Sequence, residues 1–119
     1  MRPDLSSAER WVLEQLADGD HHLADLGWLG SDEYQPEAAI EVLQSLTTRG
    51  YVEVRQCYEG DLWSRLLSVD EAKAAVANGT NWPRVPSGRP DWYEASATES
   101  GLVALWGPSE RPYRDRHLP

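Results

Sequence analysis

Apolar residues recur at helical spacing in three runs within the first fifty residues of the chain. The first run follows the capping box Ser6-Ser7-Ala8-Glu9, which predicts a helix that begins after Ser6 and ends near Gly19. A shorter run covers residues 22–29, and the third begins at Pro36, a residue suited to the first turn of a helix, and ends at Gly50. The pattern therefore predicts three helices before any strand.

The second half of the chain predicts strands as well as helices. Residues 51–55 alternate apolar and polar side chains and predict a strand, and residues 62–67 predict a second strand, for which a short helix is the alternative. Ser68 begins a second capping box, and the helix after it should bury one apolar face. Residues 92–96 predict a last strand, and Thr98 caps the final helix. The residues expected on the buried face of the fourth helix are Val69, Ala72, Ala75 and Val76.

Length and composition fit one small globular domain. The chain has 119 residues, 40% of them hydrophobic and 26% charged. None of its apolar runs approaches the roughly 18 to 20 residues that cross a bilayer, and no apolar signal-peptide core follows Met1. We therefore expect a cytoplasmic protein without membrane association. The expected organisation is one domain over residues 1–106, including an extended arm at 57–90 with its own helix, and a flexible tail at 107–119.

Two local motifs carry a family resemblance. LQSLTTRGYVEV, at residues 43–54, looks like the end of a recognition helix that runs into the first strand of a wing. WYEASATESG, at residues 92–101, looks like the second wing strand and the Thr-x-x-Gly start of the next helix. Together they resemble winged helix-turn-helix domains of MarR- and PadR-type regulators. The resemblance covers residues 6–106 and implies an α+β fold: a winged-helix-like three-helix core, a small antiparallel β-wing, and an extra helix inserted in the wing.

The chain departs from that family in its wing and in its third helix. The arm at residues 57–90 is far longer than a usual wing. The third helix starts with Pro36-Glu37-Ala38-Ala39, and its only amides are Gln35 and Gln44. Helices that recognise bases in the major groove use Arg, Lys, Asn or Gln side chains. The composition of this helix therefore does not match a DNA-recognition helix.

The net charge of −9 is concentrated in the first part of the chain. Residues 1–50 carry a net charge of −7 and residues 51–119 a net charge of −2, and no Lys or Arg lies between Trp11 and Thr48. The acidic residues in that window are Glu14, Asp18, Asp20, Asp25, Asp32, Glu33, Glu37 and Glu41. Because contacts to DNA phosphates dominate affinity and require cations or polar donors, this charge disfavours DNA binding through the third helix.

No motif predicts catalysis, a cofactor or a metal site. Cys57 is the only cysteine, and no His and Asp pattern identifies it as a nucleophile. His21 and Asp25 lie four residues apart and could share a helix face, but a third metal ligand is not evident, so solvent exposure is the favoured interpretation. We therefore expect a non-enzymatic protein without a cofactor.

The favoured hypothesis is that the protein binds a basic protein. An acidic face with aromatic anchors is typical of surfaces that capture such partners. A nuclease toxin or another nucleic-acid-binding protein would fit, with this chain in an immunity, antagonist or adaptor role. The candidate partner-binding residues are Trp28, Asp32, Glu33, Glu37, Glu41 and Trp63. Trp92 and Trp106 are expected in the core instead.

Three alternatives stay open. The first is a transcription regulator that contacts DNA through its arm and tail. Its candidate DNA contacts are Arg55, Arg65, Arg84 and Arg89 in the arm region, and Arg111, Arg114 and Arg116 in the tail. The second is a structural subunit that forms a homodimer through its first and last helices. The third is a small-molecule site between the arm and the helices, lined by Trp63 and Trp82.

Overall fold

The structure, a computed structural model, describes residues 5–60, 64–83 and 90–107. These residues form a mixed α+β fold with five α-helices and one four-stranded antiparallel sheet. In chain order the elements are α1 (Ser7–Ala17), β1 (His21–His22), α2 (Leu23–Leu26), α3 (Pro36–Thr48), β2 (Val52–Tyr58), β3 (Ser64–Leu66), α4 (Val69–Ala77), β4 (Asp91–Ala97) and α5 (Glu99–Trp106), with a 3-10 turn at Gly79–Asn81.

The sheet has the strand order β1-β4-β2-β3, so the last strand lies between the first and the second. β2 and β4 pair along all seven residues of each strand and form the centre of the sheet. Val52, Val54 and Ala95 are buried, whereas the alternating residues Glu53 and Arg55 are half-exposed. Because side chains alternate across a strand, one face of the sheet packs on the helices and the other faces solvent.

The core is a single cluster of aliphatic side chains from the helices and the inner face of the sheet. Its largest fully buried members are Leu13, Leu23, Leu26, Leu43, Leu46 and Leu105. Burial of each leucine contributes roughly 1.5–3 kcal/mol. Ala72 and Val76 of α4 belong to the same cluster, and so do Leu67 and Trp82. The described part of the predicted arm therefore packs into the core and does not project from it.

Glu9 joins α1 to α3. Its carboxylate accepts hydrogen bonds from the Ser6 backbone N–H at 2.8 Å, the Ser45 hydroxyl at 2.8 Å and an Arg49 guanidinium nitrogen at 2.9 Å. The Ser6 hydroxyl in turn accepts from the Glu9 backbone N–H, which completes the predicted capping box. Burial raises the pKa of Glu9, but these hydrogen bonds and the charge of Arg49 outweigh it and lower the pKa below its ordinary value. The same carboxylate thus caps one helix and ties it to another.

A second junction joins α3, the two central strands and α5. Gly50 adopts a φ of 76°, which lets the chain turn directly from α3 into β2. The Tyr51 carbonyl accepts from the Thr98 backbone N–H at 3.0 Å, and the Thr98 hydroxyl donates to the Gly50 carbonyl at 2.6 Å. A Cβ at Gly101 would overlap the Tyr51 carbonyl oxygen. Thr98 also accepts from the Gly101 N–H at 3.1 Å, so the predicted helix cap is confirmed.

The predicted second helix is shorter than expected. Residues 22–29 were expected to be helical, but only Leu23–Leu26 form a helix, and His21 and His22 form the edge strand β1. His21 pairs with Ala95 and His22 with Glu94 of β4. This pairing takes the backbone of both histidines out of the helix.

Burial differs from prediction at three apolar positions. Val69 is 53% exposed, because it is the first residue of α4, and only Ala72 and Val76 of its expected face are buried. Trp82 is 3% exposed, and its indole N–H donates to the Val76 carbonyl at 2.9 Å. Trp92 was expected in the core but is only half-buried. Tertiary packing therefore buries Trp82, which was expected to line a small-molecule site, and leaves Trp92 partly exposed.

Replacing Gly101 with alanine should destabilise the protein by about 2 kcal/mol or more, because the added methyl overlaps backbone and cannot move away. This outweighs the roughly 1 kcal/mol that alanine gains over glycine in a helix. Urea denaturation of Gly101→Ala measures the loss. Gly79→Ala is the matched control, because a Cβ there meets nothing within 4 Å. Equal stability of the two variants would contradict the close contact.

Glu9→Gln should cost about 1–3 kcal/mol at pH 7, because it removes the charged acceptor shared by Ser6, Ser45 and Arg49. Since the folded pKa of Glu9 lies below its unfolded value, its contribution is present at neutral pH and declines as pH falls below about 4.3. The stability difference between wild type and Glu9→Gln should therefore shrink on acidification. Denaturation at pH 7 and at lower pH measures it, with exposed Glu14→Gln on the same helix as control. A pH-independent difference would contradict this role.

Candidate partner-binding face

The outward side of α3 and the loop before it carry the acidic residues predicted to bind a partner. Asp32 and Glu33 lie in the loop, and Glu37 and Glu41 lie four residues apart on α3; all four are exposed. We call this set the acidic ridge. Residues four apart share one side of a helix, opposite the side that buries Leu43 and the rest of its apolar stripe. The ridge is therefore the solvent side of α3, extended by the loop.

Residues 27–35 form a loop closed by internal hydrogen bonds. The Gln35 backbone N–H donates to the Gly27 carbonyl at 2.8 Å, which brings the two ends of the loop together. Within it, the Ser31 hydroxyl accepts from the Glu33 N–H at 3.2 Å and from the Gln35 side-chain amide at 3.0 Å. Leu29 takes a φ of 48°, an uncommon value for a residue other than glycine. The loop thus holds its acidic residues on a defined backbone.

Tyr34 anchors this loop to the core. Its hydroxyl donates to the Trp82 carbonyl at 2.7 Å, and its ring packs against Gly27, where a Cβ would come within 2.5 Å of the ring. Burial, assisted by the charge of Asp25, raises the pKa of Tyr34, so the hydroxyl stays protonated as a donor. Trp28 packs on the Tyr34 ring with 5.0 Å between centroids. Trp28 is therefore half-buried in the loop, beside the acidic ridge.

The amides predicted on and beside α3 bond within the protein. The Gln44 amide donates to the Lys73 carbonyl of α4 at 3.3 Å, and the Gln35 amide donates within the loop. α4 packs against the side of α3 that carries Gln44. An amide that reads a base edge must present its donor and acceptor together to the groove. The side chains of α3 that remain outward are dominated by Glu37 and Glu41.

Two of the arginines proposed to contact DNA lie in the described residues. Arg65 pairs with Glu71 at 3.0 Å and donates to the Gln56 side chain at 3.3 Å. Glu71 itself has a pKa lowered by the Ser68 backbone N–H and by Arg65. Arg55 lies on the solvent face of the sheet opposite Glu94. Arg84, Arg89, the tail arginines and the proposed partner-binding residue Trp63 lie outside the described residues.

Two histidine–carboxylate pairs flank the edge of the sheet. His21 Nδ1 lies 3.8 Å from an Asp25 oxygen, and His22 Nε2 lies 3.8 Å from a Glu94 oxygen. The pairs are separate: nowhere in residues 5–60, 64–83 and 90–107 do three or more His, Cys, Asp or Glu side chains come together as metal ligands would. Burial, together with the charge of Glu94, raises the pKa of the Cys57 thiol, which disfavours the nucleophilic thiolate.

The cleft in the described structure differs from the small-molecule site considered above. A small open cleft lies between β1, the 3-10 turn and the start of β4. Its lining residues are His22, Ala24, Thr80, Asn81, Pro83, Asp91, Trp92 and Tyr93, so Trp82 is not among them. The Asn81 amide donates to the Ala75 carbonyl at 2.8 Å, and the Thr80 hydroxyl to the Asn78 side chain at 2.8 Å. Two of its polar side chains are thus already engaged within the protein.

The aromatic pair on the solvent face of the sheet was not predicted from the sequence. The rings of His22 and Trp92 are stacked with 5.5 Å between centroids and 11° between planes. The Trp92 indole N–H donates to the Glu94 carboxylate at 2.8 Å. The spacing of Trp92 and Glu94, two apart in a strand, was the available signal that they share a face. His22 joins them only because β1 pairs with β4.

Comparison with known proteins gives no assignment: no family model, curated protein or solved structure matches the chain. Among the helices of the described residues, none combines the length and the apolar character that crossing a membrane requires.

Proposed function

We propose that the protein is a non-catalytic, winged-helix-like interaction module whose acidic ridge binds a basic protein partner. The observation that carries this proposal is the outward side of α3, where Glu37 and Glu41 are both exposed and follow Asp32 and Glu33 of the loop. In a DNA-binding winged helix the corresponding helix enters the major groove between two rows of phosphates. In this chain the outward side of α3 would bring the carboxylates of Glu37 and Glu41 close to the DNA phosphates, and like charges repel.

The winged-helix interpretation is supported by the order of the elements. Three helices precede the central strand pair, and the short β1 between α1 and α2 adds to β4, giving β1-β4-β2 in the sheet. The turn at Gly50 and the cap at Thr98 fall where the resembling motifs place them. β3 and α4 then occupy the position of an enlarged wing.

The ridge fits a basic partner for electrostatic reasons. Its four carboxylates lie in the segment between Trp11 and Thr48, which contains no Lys or Arg. No described residue forms an ion pair with a ridge carboxylate. A one-signed surface speeds the capture of an oppositely charged protein, and a rigid loop lowers the entropy lost on binding. Trp28, half-buried beside the ridge, supplies the aromatic anchor.

The second candidate function is DNA regulation through the arginines of the arm and tail. Among its described residues, Arg55 favours this alternative, because it makes no ion pair with any described residue. Arg65 opposes it, because its guanidinium already pairs with Glu71. The protein-binding proposal is preferred, since DNA binding would also bring the ridge carboxylates into the field of the phosphates.

Reversing two ridge charges should weaken binding to a basic partner. With a fluorescent arginine-rich peptide as the probe, Glu37→Lys/Glu41→Lys should raise Kd at least tenfold, which corresponds to about 1.4 kcal/mol. The physical reason is that two attractive contacts become repulsive. Fluorescence anisotropy at fixed ionic strength measures the change, and circular dichroism checks that the variant stays folded.

The matched control is Glu14→Lys/Glu59→Lys, which changes the net charge equally at exposed positions outside the ridge. We expect this variant to lose much less affinity than the ridge variant. Equal losses in the two variants would show that only net charge matters. An unchanged Kd in Glu37→Lys/Glu41→Lys would remove the ridge as the binding face.

A further inference from the structure

The solvent face of the sheet carries a row of side chains that crosses all four strands. The strand register places His22 of β1 beside Glu94 of β4, Glu94 beside Arg55 of β2, and Arg55 beside Leu66 of β3. Directly paired residues lie on the same face of the sheet. In strand order the row therefore consists of an aromatic ring, an anion, a cation and an aliphatic side chain. Leu66 is 47% exposed, one of two large apolar side chains exposed to this degree in the described residues.

A second row lies two residues along the strands. It runs from Trp92 of β4 to Cys57 of β2 and Ser64 of β3. All three are half-buried, whereas Val54 and Ala95 on the opposite face are fully buried. The two rows together give a surface of aromatic, aliphatic and small side chains around one charge of each sign. Glu53, two residues before Arg55 on the same face, adds a second carboxylate at its border. We call this surface the open face.

We propose that the open face is a homodimer interface in which a second copy of this chain packs sheet against sheet. Charge complementarity favours this arrangement. A twofold axis parallel to the strands, between β4 and β2, lays β4 of one copy on β2 of the other. Arg55 then faces the partner's Glu94, and Glu94 faces the partner's Arg55, so the central charges are matched twice.

The apolar positions match under the same axis. β1 lies over β3 of the other copy, so the stacked rings of His22 and Trp92 meet the partner's Leu66. Trp92 also lies opposite the partner's Cys57. Aligned packing of two twisted sheets at about 30° keeps these neighbours within reach. The twofold axis reverses the strand order of the second copy. Each apolar or charged residue of the row therefore meets a matching residue of the same row in the partner.

The surroundings of Arg55 favour the same pairing. It makes no ion pair with any described residue, although Glu94 lies directly across the strand pair and already accepts a hydrogen bond from Trp92. An arginine on a half-buried surface is favoured by a carboxylate that can bond it in the fork geometry. The partner's Glu94 supplies that carboxylate in the twofold arrangement. This inference rests on the open face alone and is independent of the acidic ridge.

The size of the open face predicts a weak dimer. The central strands β2 and β4 have seven residues each, whereas β1 has two and β3 has three. With strands about 4.8 Å apart and a rise of about 3.4 Å per residue, this face covers on the order of 300 Å² per copy. That is less than half of a standard protein–protein interface, at the low end of transient complexes. Each copy has a net charge of −9, so the assay needs physiological salt, where the Debye length is about 8 Å and long-range repulsion is screened.

The decisive experiment is sedimentation velocity of the full chain and of two charge variants over a wide concentration range. Wild type should show a reversible monomer–dimer equilibrium. Arg55→Glu places two carboxylates at each central contact, and Glu94→Arg places two guanidinium groups there, so each variant alone should dimerise at least tenfold more weakly. An equimolar mixture of the two variants should dimerise again, because every central contact then joins opposite charges.

A second pair of variants tests the apolar part without touching the charges. Leu66→Glu should weaken the dimer at least tenfold. Val69→Glu is the matched control: Val69 is 53% exposed at the first turn of α4, off the open face, where a glutamate suits the helix dipole. It should dimerise like wild type.

Three results would overturn the proposal. They are a wild type that stays monomeric at every concentration, a mixture of charge variants that stays monomeric while both are folded, and equal effects of Leu66→Glu and Val69→Glu. If a charge variant fails to fold, the Leu66 and Val69 pair decides by itself. Circular dichroism of every variant identifies that case.

Discussion

The orientation of α3 depends on the junction between α3, the central strands and α5. The Tyr51 carbonyl accepts from Thr98, the Thr98 hydroxyl donates to the Gly50 carbonyl, and Gly101 leaves room for that backbone to approach. The junction therefore fixes the angle between α3 and β2, the strand that follows it. Glu9 holds the other side of the same helix through Ser45 and Arg49. With both sides held, α3 buries its leucines and directs its carboxylates outward, and any function of the ridge follows from that constraint.

Three of the five Lys and Arg side chains in the described residues bond within the protein, whereas the ridge carboxylates form no ion pair with a described residue. Arg49 pairs with Glu9, Arg65 pairs with Glu71, and Arg10 donates to the Leu105 carbonyl at 3.4 Å. Like charges four apart on a helix cost only about 0.2–0.5 kcal/mol. The fold therefore tolerates the one-signed surface at small cost. The two proposals use separate parts of the molecule: the ridge lies on α3 and its loop, and the open face lies on the sheet.

Elements set by local hydrogen bonds were predictable from the sequence. Both capping boxes, the glycine after α3 and the cap at Thr98 involve residues at most three or four apart, and the structure has them as predicted. β1 was not predictable, because His21 and His22 form a strand only by pairing with residues more than seventy positions later. The same holds for Trp82 and Trp92, whose burial depends on where α4 and β1 pack. The exposure of Glu37 and Glu41 followed from helical periodicity alone.

The most direct test of the central claim is retention of the wild-type chain on random duplex DNA at low salt, about 50 mM, where non-specific binding is strongest. With carboxylates on the outward side of α3, the account predicts no retention above that of a neutral resin. Clear retention that falls steeply as salt is raised would contradict it. Function would then lie with the arginines of the arm and tail.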